Sequence, residues 1–185
     1  MQDTDFQLIE RWHTGDQQAF EQLFQRYYTQ VYRVAYAFAR THDEADDLAQ
    51  ETFLALYQQP PQLAPQAILL PWLCRVATNR GYNQLRSIQR EQSRLLKQLP
   101  SPVSAEPFEH ILLAEERSQV RMVLAQLAER QAALLSLRAS GMAYAEIAAA
   151  LGIAAGSVGT LLARAERAFL ERYSAIEQRD FIQTA

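Results

Sequence analysis

Hydrophobic residues recur at three- and four-residue steps along most of this chain, the spacing of one face of an α-helix. The clearest stripe lies between Asp16 and Arg40, and a shorter helix precedes it, ending at Gly15. No segment alternates at the two-residue spacing of a strand, so the sequence predicts an all-α fold. The remaining predicted helices span about 42–58, 71–99, 109–139 (with a break near Leu127), 144–151 and 155–173.

Prolines interrupt the helical pattern in two places. Four prolines fall within the segment Gln59–Pro71, counting Pro71 itself, which predicts a loop that ends where the next helix begins. Three more, with two serines, fall within residues 100–108. The sequence therefore predicts two small helical domains, residues 1–99 and 109–185, joined by a flexible linker at 100–108.

Charge is distributed unevenly along the 185 residues. The formal net charge of −3 argues against a nucleic-acid partner, and the 49% of hydrophobic residues is enough for a packed core. Residues 1–65, however, carry four basic and ten acidic side chains, whereas residues 66–97 carry six basic and one acidic. A local basic block is typical of nucleic-acid binding, although charge alone favours the simpler interpretation of a solvated helix face.

Several kinds of chemistry are not predicted. Cys74 is the only cysteine, which excludes an internal disulfide and favours a small core residue in a reducing compartment. The three histidines have no metal-ligand spacing, and no nucleophile–base pair or glycine-rich phosphate loop is visible. We therefore expect a non-enzyme with no metal, cofactor or small-molecule substrate. No secretory signal or uninterrupted membrane span is visible either, so we expect a cytoplasmic protein.

The helix predicted at 42–58 has an acidic outer face. Thr41 and Glu44 fit a capping box at its start. Leu54 is an apolar residue among carboxylates, which suits the centre of a partner-binding patch, but an isolated exposed leucine is common, and geometry alone favours that reading. The outer face consists of Asp43, Asp47, Gln50, Glu51, Leu54 and Gln58.

The segment from Asp43 to Phe53, DEADDLAQETF, resembles the second conserved region of extracytoplasmic-function (ECF) sigma factors of bacterial RNA polymerase. The helix that precedes it also resembles the opening helix of that family. In the family, this segment docks on the clamp of the largest polymerase subunit. The resemblance implies that the docking residues are Asp47, Gln50, Glu51 and Leu54.

The helix predicted from Pro71 carries most of the basic block on one side, together with amide and aromatic side chains. Cations neutralise phosphates, an aromatic ring stacks on a base, and amides read a base edge, so this set suits single-stranded DNA. Trp72 lies at the edge of the stripe, and its roles as a stacking ring and as a core residue stay open. The stripe consists of Arg75, Asn79, Tyr82, Asn83, Arg86, Arg90 and Lys97.

Residues 71–80 are similar to the ECF segment that captures the melted minus-ten promoter element. The resemblance implies DNA contacts by Trp72, Arg75, Asn79, Tyr82, Asn83 and Arg86. The family often has a basic residue where Thr78 stands and a more charged loop than residues 59–70. The promoter sequence that this chain prefers is therefore not predicted.

Residues 144–153 form the first helix and turn of a helix-turn-helix, with Gly152 at the turn. This part resembles the fourth conserved region of sigma factors, whose second helix reads the minus-thirty-five element. Gly159 and Leu161 stand where Lys and Arg are common, so we expect a reduced grip on duplex DNA. The outer face of the second helix offers Ser157, Thr160, Arg164 and Arg167.

The resemblance as a whole implies a sigma factor with two partners, core RNA polymerase and promoter DNA. Two alternatives stay open at this point. One is a sigma-like interaction protein that occupies the polymerase without productive promoter recognition. The other is an ordinary helix-turn-helix repressor, which would leave the acidic helix unexplained. The sequence does not decide whether an anti-sigma factor also binds the chain.

Overall fold

The computed structural model describes residues 3–95 and 108–184. Apart from Phe108, the predicted linker lies outside these residues. The described residues contain helices and no strand, which confirms the all-α fold. The helices are α1 (Asp5–His13), α2 (Gln17–Tyr36), α3 (His42–Gln58), α4 (Leu70–Leu95), α5 (Phe108–Gln126), α6 (Glu129–Ala139), α7 (Tyr144–Leu151) and α8 (Ala155–Thr184).

The start of α3 follows from its capping residues. Thr41 is the N-cap, and its hydroxyl oxygen accepts the backbone N–H of Glu44 at 3.1 Å. Glu44 reaches back one residue further than the predicted capping box, because it accepts the backbone N–H of Arg40 at 2.8 Å and also binds that guanidinium. These contacts fix both the beginning of α3 and the turn that leads into it.

Two predicted boundaries in the second half are confirmed and one is wrong. The break near Leu127 separates α5 from α6, and Gly152 ends α7 in the left-handed conformation at φ +62°. The last helix continues to Thr184, beyond the predicted end near residue 173. Its sequence after Gly159 contains no glycine or proline that would end it earlier.

The core of the first half is built around α2, which contacts α1, α3 and α4. Leu23, Val31 and Val34 of α2 are fully buried in it. Gly81 allows the close approach of α4 to the end of α2, because a Cβ atom at residue 81 would lie 2.7 Å from the ring of Phe38. The helix packing that presents α4 thus depends on a residue without a side chain.

The two halves of the chain pack against each other through α4, which contacts α5, α6 and α7. Cys74, Thr78 and Tyr82, spaced one helical turn apart, are all buried there. The Tyr82 hydroxyl donates to the backbone carbonyl of Leu127 at 2.7 Å. The division into domains 1–99 and 109–185 stays a prediction.

Cys74 has the environment expected of a core residue. It is fully buried, and burial raises the pKa of its thiol to about 12, with a smaller contribution from the negative charge of Glu146. Within the described residues, no group of His, Cys, Asp and Glu could hold a metal ion. No single described helix is long and apolar enough to cross a membrane, although the bent pair α7–α8 passes that test as a pair.

Candidate functional site

The outer face of α3 carries the four predicted polymerase-binding residues. Asp47, Gln50 and Glu51 are exposed, and Leu54 is 52% exposed. The opposite side of the helix is buried against the core of the first half. The structure therefore brings these four side chains together on one free face, while their binding role stays a prediction.

An aromatic patch that the sequence analysis missed borders this face. Tyr57 is 59% exposed, and its ring lies 5.4 Å from that of Trp12 and 5.6 Å from that of Phe20, measured between centroids. Tyr57 follows Leu54 by three residues, a spacing that places both on one side of a helix and is visible in the sequence. A shallow recess of about 390 Å³ lies here, lined by Phe20, Phe24, Gln50, Phe53, Leu54 and Tyr57.

An ion pair connects the acidic face to the basic helix. Arg80 Nη1 lies 2.9 Å from Glu51 Oε2. Both side chains are largely exposed, so the pair contributes little to stability. It places the carboxylate of Glu51 beside the guanidinium of Arg80 at the surface, where α3 and α4 are neighbours.

The polar stripe of α4 is exposed along most of its length. Arg75, Asn79, Asn83 and Arg86 are all exposed on one side of the helix. Trp72, at the head of this stripe, is partly buried and packs against the core. Trp72 thus has the core contact of one predicted role, while stacking on a base stays a prediction.

The prediction that Tyr82 presents its ring to a base needs a correction. In this structure the side chain is 3% exposed, and its hydroxyl is bonded to Leu127. Tyr82 lies on the same side of α4 as Arg75 and Arg86, but the turn between α5 and α6 covers it. Arg86 stands over the ring, with its guanidinium carbon 5.8 Å from the ring centroid. Stacking on a base requires this contact between the halves to open.

The second half presents a helix-turn-helix. Its two helices, α7 and α8, are bent by 90° at the turn. The predicted DNA-contacting residues Ser157, Thr160, Arg164 and Arg167 are all exposed on α8, whereas Val158, Leu162 and Ala165 are buried beneath it. The structure therefore brings the four predicted side chains to one accessible face of the recognition helix.

Sequence comparison decides the family. The profile of sigma-70 region 2 matches residues 23–91, and that of sigma-70 region 4 matches residues 117–169. The ECF RNA polymerase sigma factor SigM of Mycobacterium tuberculosis is 30% identical over 158 residues, covering 85% of this chain and 78% of SigM. This chain belongs to the ECF sigma factors. The ECF sigma-E factor of Escherichia coli is 29% identical over 182 residues, covering 89% of this chain and 92% of that protein.

Two solved structures share the fold. CnrH, solved in complex with the cytosolic domain of CnrY, aligns with a TM-score of 0.60 at 24% identity and covers 96% of this chain and 99% of its own. The sigma factor RpoE of Bartonella quintana, solved with the anti-sigma factor NepR, aligns with a TM-score of 0.54 at 24% identity, covering 84% and 96%. The likeness spans both sigma regions.

The region 4 part of this ECF sigma factor has a cation that the sequence analysis missed. Arg130, exposed near the start of α6, lines a recess of about 410 Å³ at the beginning of α8, together with Ser157, Thr160 and Arg164. Helix N-termini and guanidinium groups both favour phosphate. The sequence gives no local signal for Arg130, because it lies in a different helix from the recognition residues.

The recognition helix has two residues that differ from those common in the family, Gly159 and Leu161, and their surroundings differ. Leu161 is partly buried and packs against the core, and it also lines the recess that contains Arg130 and Arg164. A Cβ atom at Gly159 would meet only Tyr144 Cε2, at 3.6 Å, which is an ordinary contact. A side chain at position 159 would therefore fit, whereas a charged one at position 161 would displace an apolar contact.

An apolar groove of about 640 Å³ lies between α2, α5, α6 and α8. Leu170, 61% exposed, and Val120 form part of its wall. Arg117 stands over the Tyr36 ring at 5.6 Å, and Arg121 lines the groove with its pKa lowered by burial. The carboxylates of Glu116 and Glu166 line it as well, so the groove combines apolar walls with charges of both signs.

Proposed function

We propose that this ECF sigma factor binds core RNA polymerase through the outer face of α3. The observation that carries the proposal is the exposed Leu54, which is surrounded by Asp47, Gln50 and Glu51 and is bordered by Tyr57. An apolar centre with a charged rim is the usual composition of a protein-binding patch. The acidic rim favours a basic partner surface and would accelerate association at low salt.

Charge reversal on α3 tests this docking surface. Asp47→Lys combined with Glu51→Lys should abolish co-purification with core polymerase and leave helix content unchanged, because both side chains are exposed. A matched control, Glu21→Lys with Glu171→Lys, makes the same change in net charge at exposed positions on α2 and α8. If the α3 variant still co-elutes with core enzyme at the level of the control, the docking surface has been wrongly assigned.

The proposal assigns promoter recognition to the exposed stripe of α4 and to the exposed face of α8. The exposed stripe of α4 contacts the melted minus-ten strand, since cations, amides and a neighbouring aromatic ring suit unpaired bases. The face of α8, with Arg130 beside its N-terminus, contacts the duplex at the minus-thirty-five element. Permanganate reactivity of promoter thymines tests the first part, since Asn83→Ala with Arg86→Ala should remove it and retain polymerase binding.

Engagement of both promoter elements requires the two halves to separate. The names minus ten and minus thirty-five place the two elements about 25 base pairs apart. This separation is about 85 Å of B-form DNA at 3.4 Å per base pair. A compact chain of 185 residues has a radius of gyration of only about 16 Å. Separation breaks the Tyr82–Leu127 hydrogen bond and frees the Tyr82 ring. We infer that Tyr82 contacts DNA in this open arrangement alone.

One observation favours the alternative of a sigma-like protein that occupies the polymerase without productive promoter recognition. The cations common at positions 159 and 161 are absent, and Leu161 is partly buried against the core. Run-off transcription separates the two functions, because both predict polymerase binding and only a productive sigma factor yields transcripts. We favour the productive sigma factor because Arg130, Arg164 and Arg167 remain exposed near α8.

We also propose an anti-sigma factor as a regulatory partner, seated as an amphipathic helix in the groove between α2 and α8. The apolar walls, with the exposed Leu170 among them, suit the buried face of a helix. Leu170→Glu should then raise sigma-dependent transcription in cells and leave transcription with purified components unchanged. Equal activity of the variant and the wild type in cells would contradict this proposal.

The proposed role needs no catalytic group in this chain. A sigma factor binds and orients DNA, while phosphodiester chemistry belongs to the polymerase. We therefore expect no cofactor requirement, and we expect the protein in the cytoplasm, where the polymerase works.

A further inference from the structure

Asp5 lies at the junction of three parts of the first half. It is the first residue of α1, and its side chain is 4% exposed. Carboxylate oxygen Oδ1 accepts Arg26 Nη1 at 2.5 Å, while Oδ2 accepts the Tyr27 hydroxyl at 2.5 Å and the backbone N–H of Leu69 at 2.8 Å. Burial, followed by the bond to Asp5, raises the pKa of Tyr27, so the phenol remains a donor. One carboxylate thus joins α1, α2 and the residue that precedes α4.

Leu69 is the point at which the loop after α3 is held. Its side chain is fully buried, and its carbonyl accepts the backbone N–H groups of Trp72 at 3.0 Å and Leu73 at 3.2 Å. Its own N–H is bonded to Asp5. Both backbone polar groups of Leu69 are therefore satisfied inside the protein, which anchors the end of the loop to the start of α4.

The neighbour of this anchor faces solvent. Ile68 is 60% exposed, although it precedes a fully buried residue. It stands four residues before Trp72, close to the head of the exposed stripe of α4. Arg26 neutralises the Asp5 carboxylate, so the anchor does not add an uncompensated negative charge beside a surface that would bind DNA.

We propose that Asp5 is a positioning residue for the capture of an unpaired promoter base. Its bond to Leu69 fixes the direction in which Ile68 and Trp72 are presented at the head of the stripe. Contacts to an unpaired base depend on such pre-organised side chains, and a small misplacement of the supporting loop weakens them. This inference rests on the proposed function, because it assigns a role within the proposed minus-ten contact.

Three variants separate positioning from general stability. Asp5→Ala removes all three bonds, and Asp5→Asn keeps the size of the side chain and one acceptor oxygen. Tyr27→Phe is the matched control, since it removes one bond to the same carboxylate and leaves the bond to Leu69. Holoenzyme reconstituted with each variant is offered a pool of single-stranded oligonucleotides randomised at the minus-ten positions. Exchange of the Leu69 amide hydrogen is followed in the same proteins.

The expected result is a loss of selectivity that follows the Leu69 bond. Asp5→Ala should lower the preference of the holoenzyme for its best sequence over the pool by roughly five- to tenfold, within the range that loss of base contacts produces. Asp5→Asn should be intermediate, and Tyr27→Phe should retain both selectivity and amide protection. All three variants should bind core polymerase as tightly as the wild type.

Results that differ from this expectation separate a failure of the positioning role of Asp5 from a failure of the proposed function. Wild-type selectivity in Asp5→Ala and Asp5→Asn would overturn the positioning role and leave the proposed function intact. An equal loss in Tyr27→Phe would show a general effect on stability and would also overturn the role. A wild-type holoenzyme that selects no sequence from the pool would contradict the proposed minus-ten contact itself, and the role of Asp5 would fall with it.

Discussion

Thr78→Arg should separate the two halves of this sigma factor. Thr78 is fully buried, and its hydroxyl has no hydrogen-bond partner within the described residues. It lies one helical turn from Cys74 and one from Tyr82, on the side of α4 that meets the second half. An arginine at this position would place a guanidinium in the buried contact between the halves.

The magnitude follows from the cost of burying a charge. Moving an ion into a protein interior costs several kcal/mol even after relaxation. Each 1.4 kcal/mol changes an equilibrium constant about tenfold, so a penalty of about 3 kcal/mol shifts the balance toward the open arrangement roughly a hundredfold. Asn79→Arg is the matched control, because it adds the same charge at the next residue, which is exposed.

Small-angle X-ray scattering and circular dichroism together provide the assay. Thr78→Arg should have a larger radius of gyration than the wild type with the same helix content, and Asn79→Arg should match the wild type in both. A Thr78→Arg protein with the wild-type radius would refute the reasoning. Loss of helical signal in that variant would refute it too, because Thr78 would then belong to the core of the first half.

Three further predictions concern single residues. Gly81→Ala should lower the free energy of unfolding by about 1–3 kcal/mol in urea denaturation, because the new Cβ atom overlaps the ring of Phe38; an unchanged midpoint would contradict the close packing of α4 on Phe38. Gly159→Lys should steepen the salt dependence of duplex binding by about one unit of log–log slope, measured by fluorescence anisotropy, because one more cation reaches the backbone. A pKa of about 12 leaves the Cys74 thiol protonated below that pH, with a thiolate fraction of about one in ten thousand at pH 8. Iodoacetamide should therefore label Cys74 rapidly only when urea unfolds the protein. Rapid labelling of the folded protein would show that the residue is accessible and would contradict this prediction.

The helices were predictable because their signals are local. The capping residue Thr41 and the stripe that follows predict His42–Gln58, and the structure has those bounds. The outer face of α3 could be predicted equally well, since a helical wheel separates Leu54 from the buried residues on the other side. Such patterns depend on neighbours within a few turns of the same helix, so one sequence is enough to find them.

Contacts between distant segments were not predictable in the same way. Tyr82 has the helical-wheel position of an exposed stripe residue, and only the packing of a turn 45 residues away buries it. Asp5 bonds to residues 21, 22 and 64 positions further along the chain. No local pattern distinguishes this carboxylate from any acidic residue at the start of a helix, so its role required the structure.

Transcription with purified core polymerase tests the central claim most directly. Added to core enzyme on a pool of genomic fragments, the wild-type protein should yield run-off transcripts from discrete start sites, and the Asp47→Lys, Glu51→Lys variant should yield none. The Glu21→Lys, Glu171→Lys control should behave as the wild type. A wild-type protein that binds core enzyme but adds no transcript on any fragment would contradict a productive sigma factor and would leave a protein that occupies the polymerase without directing it.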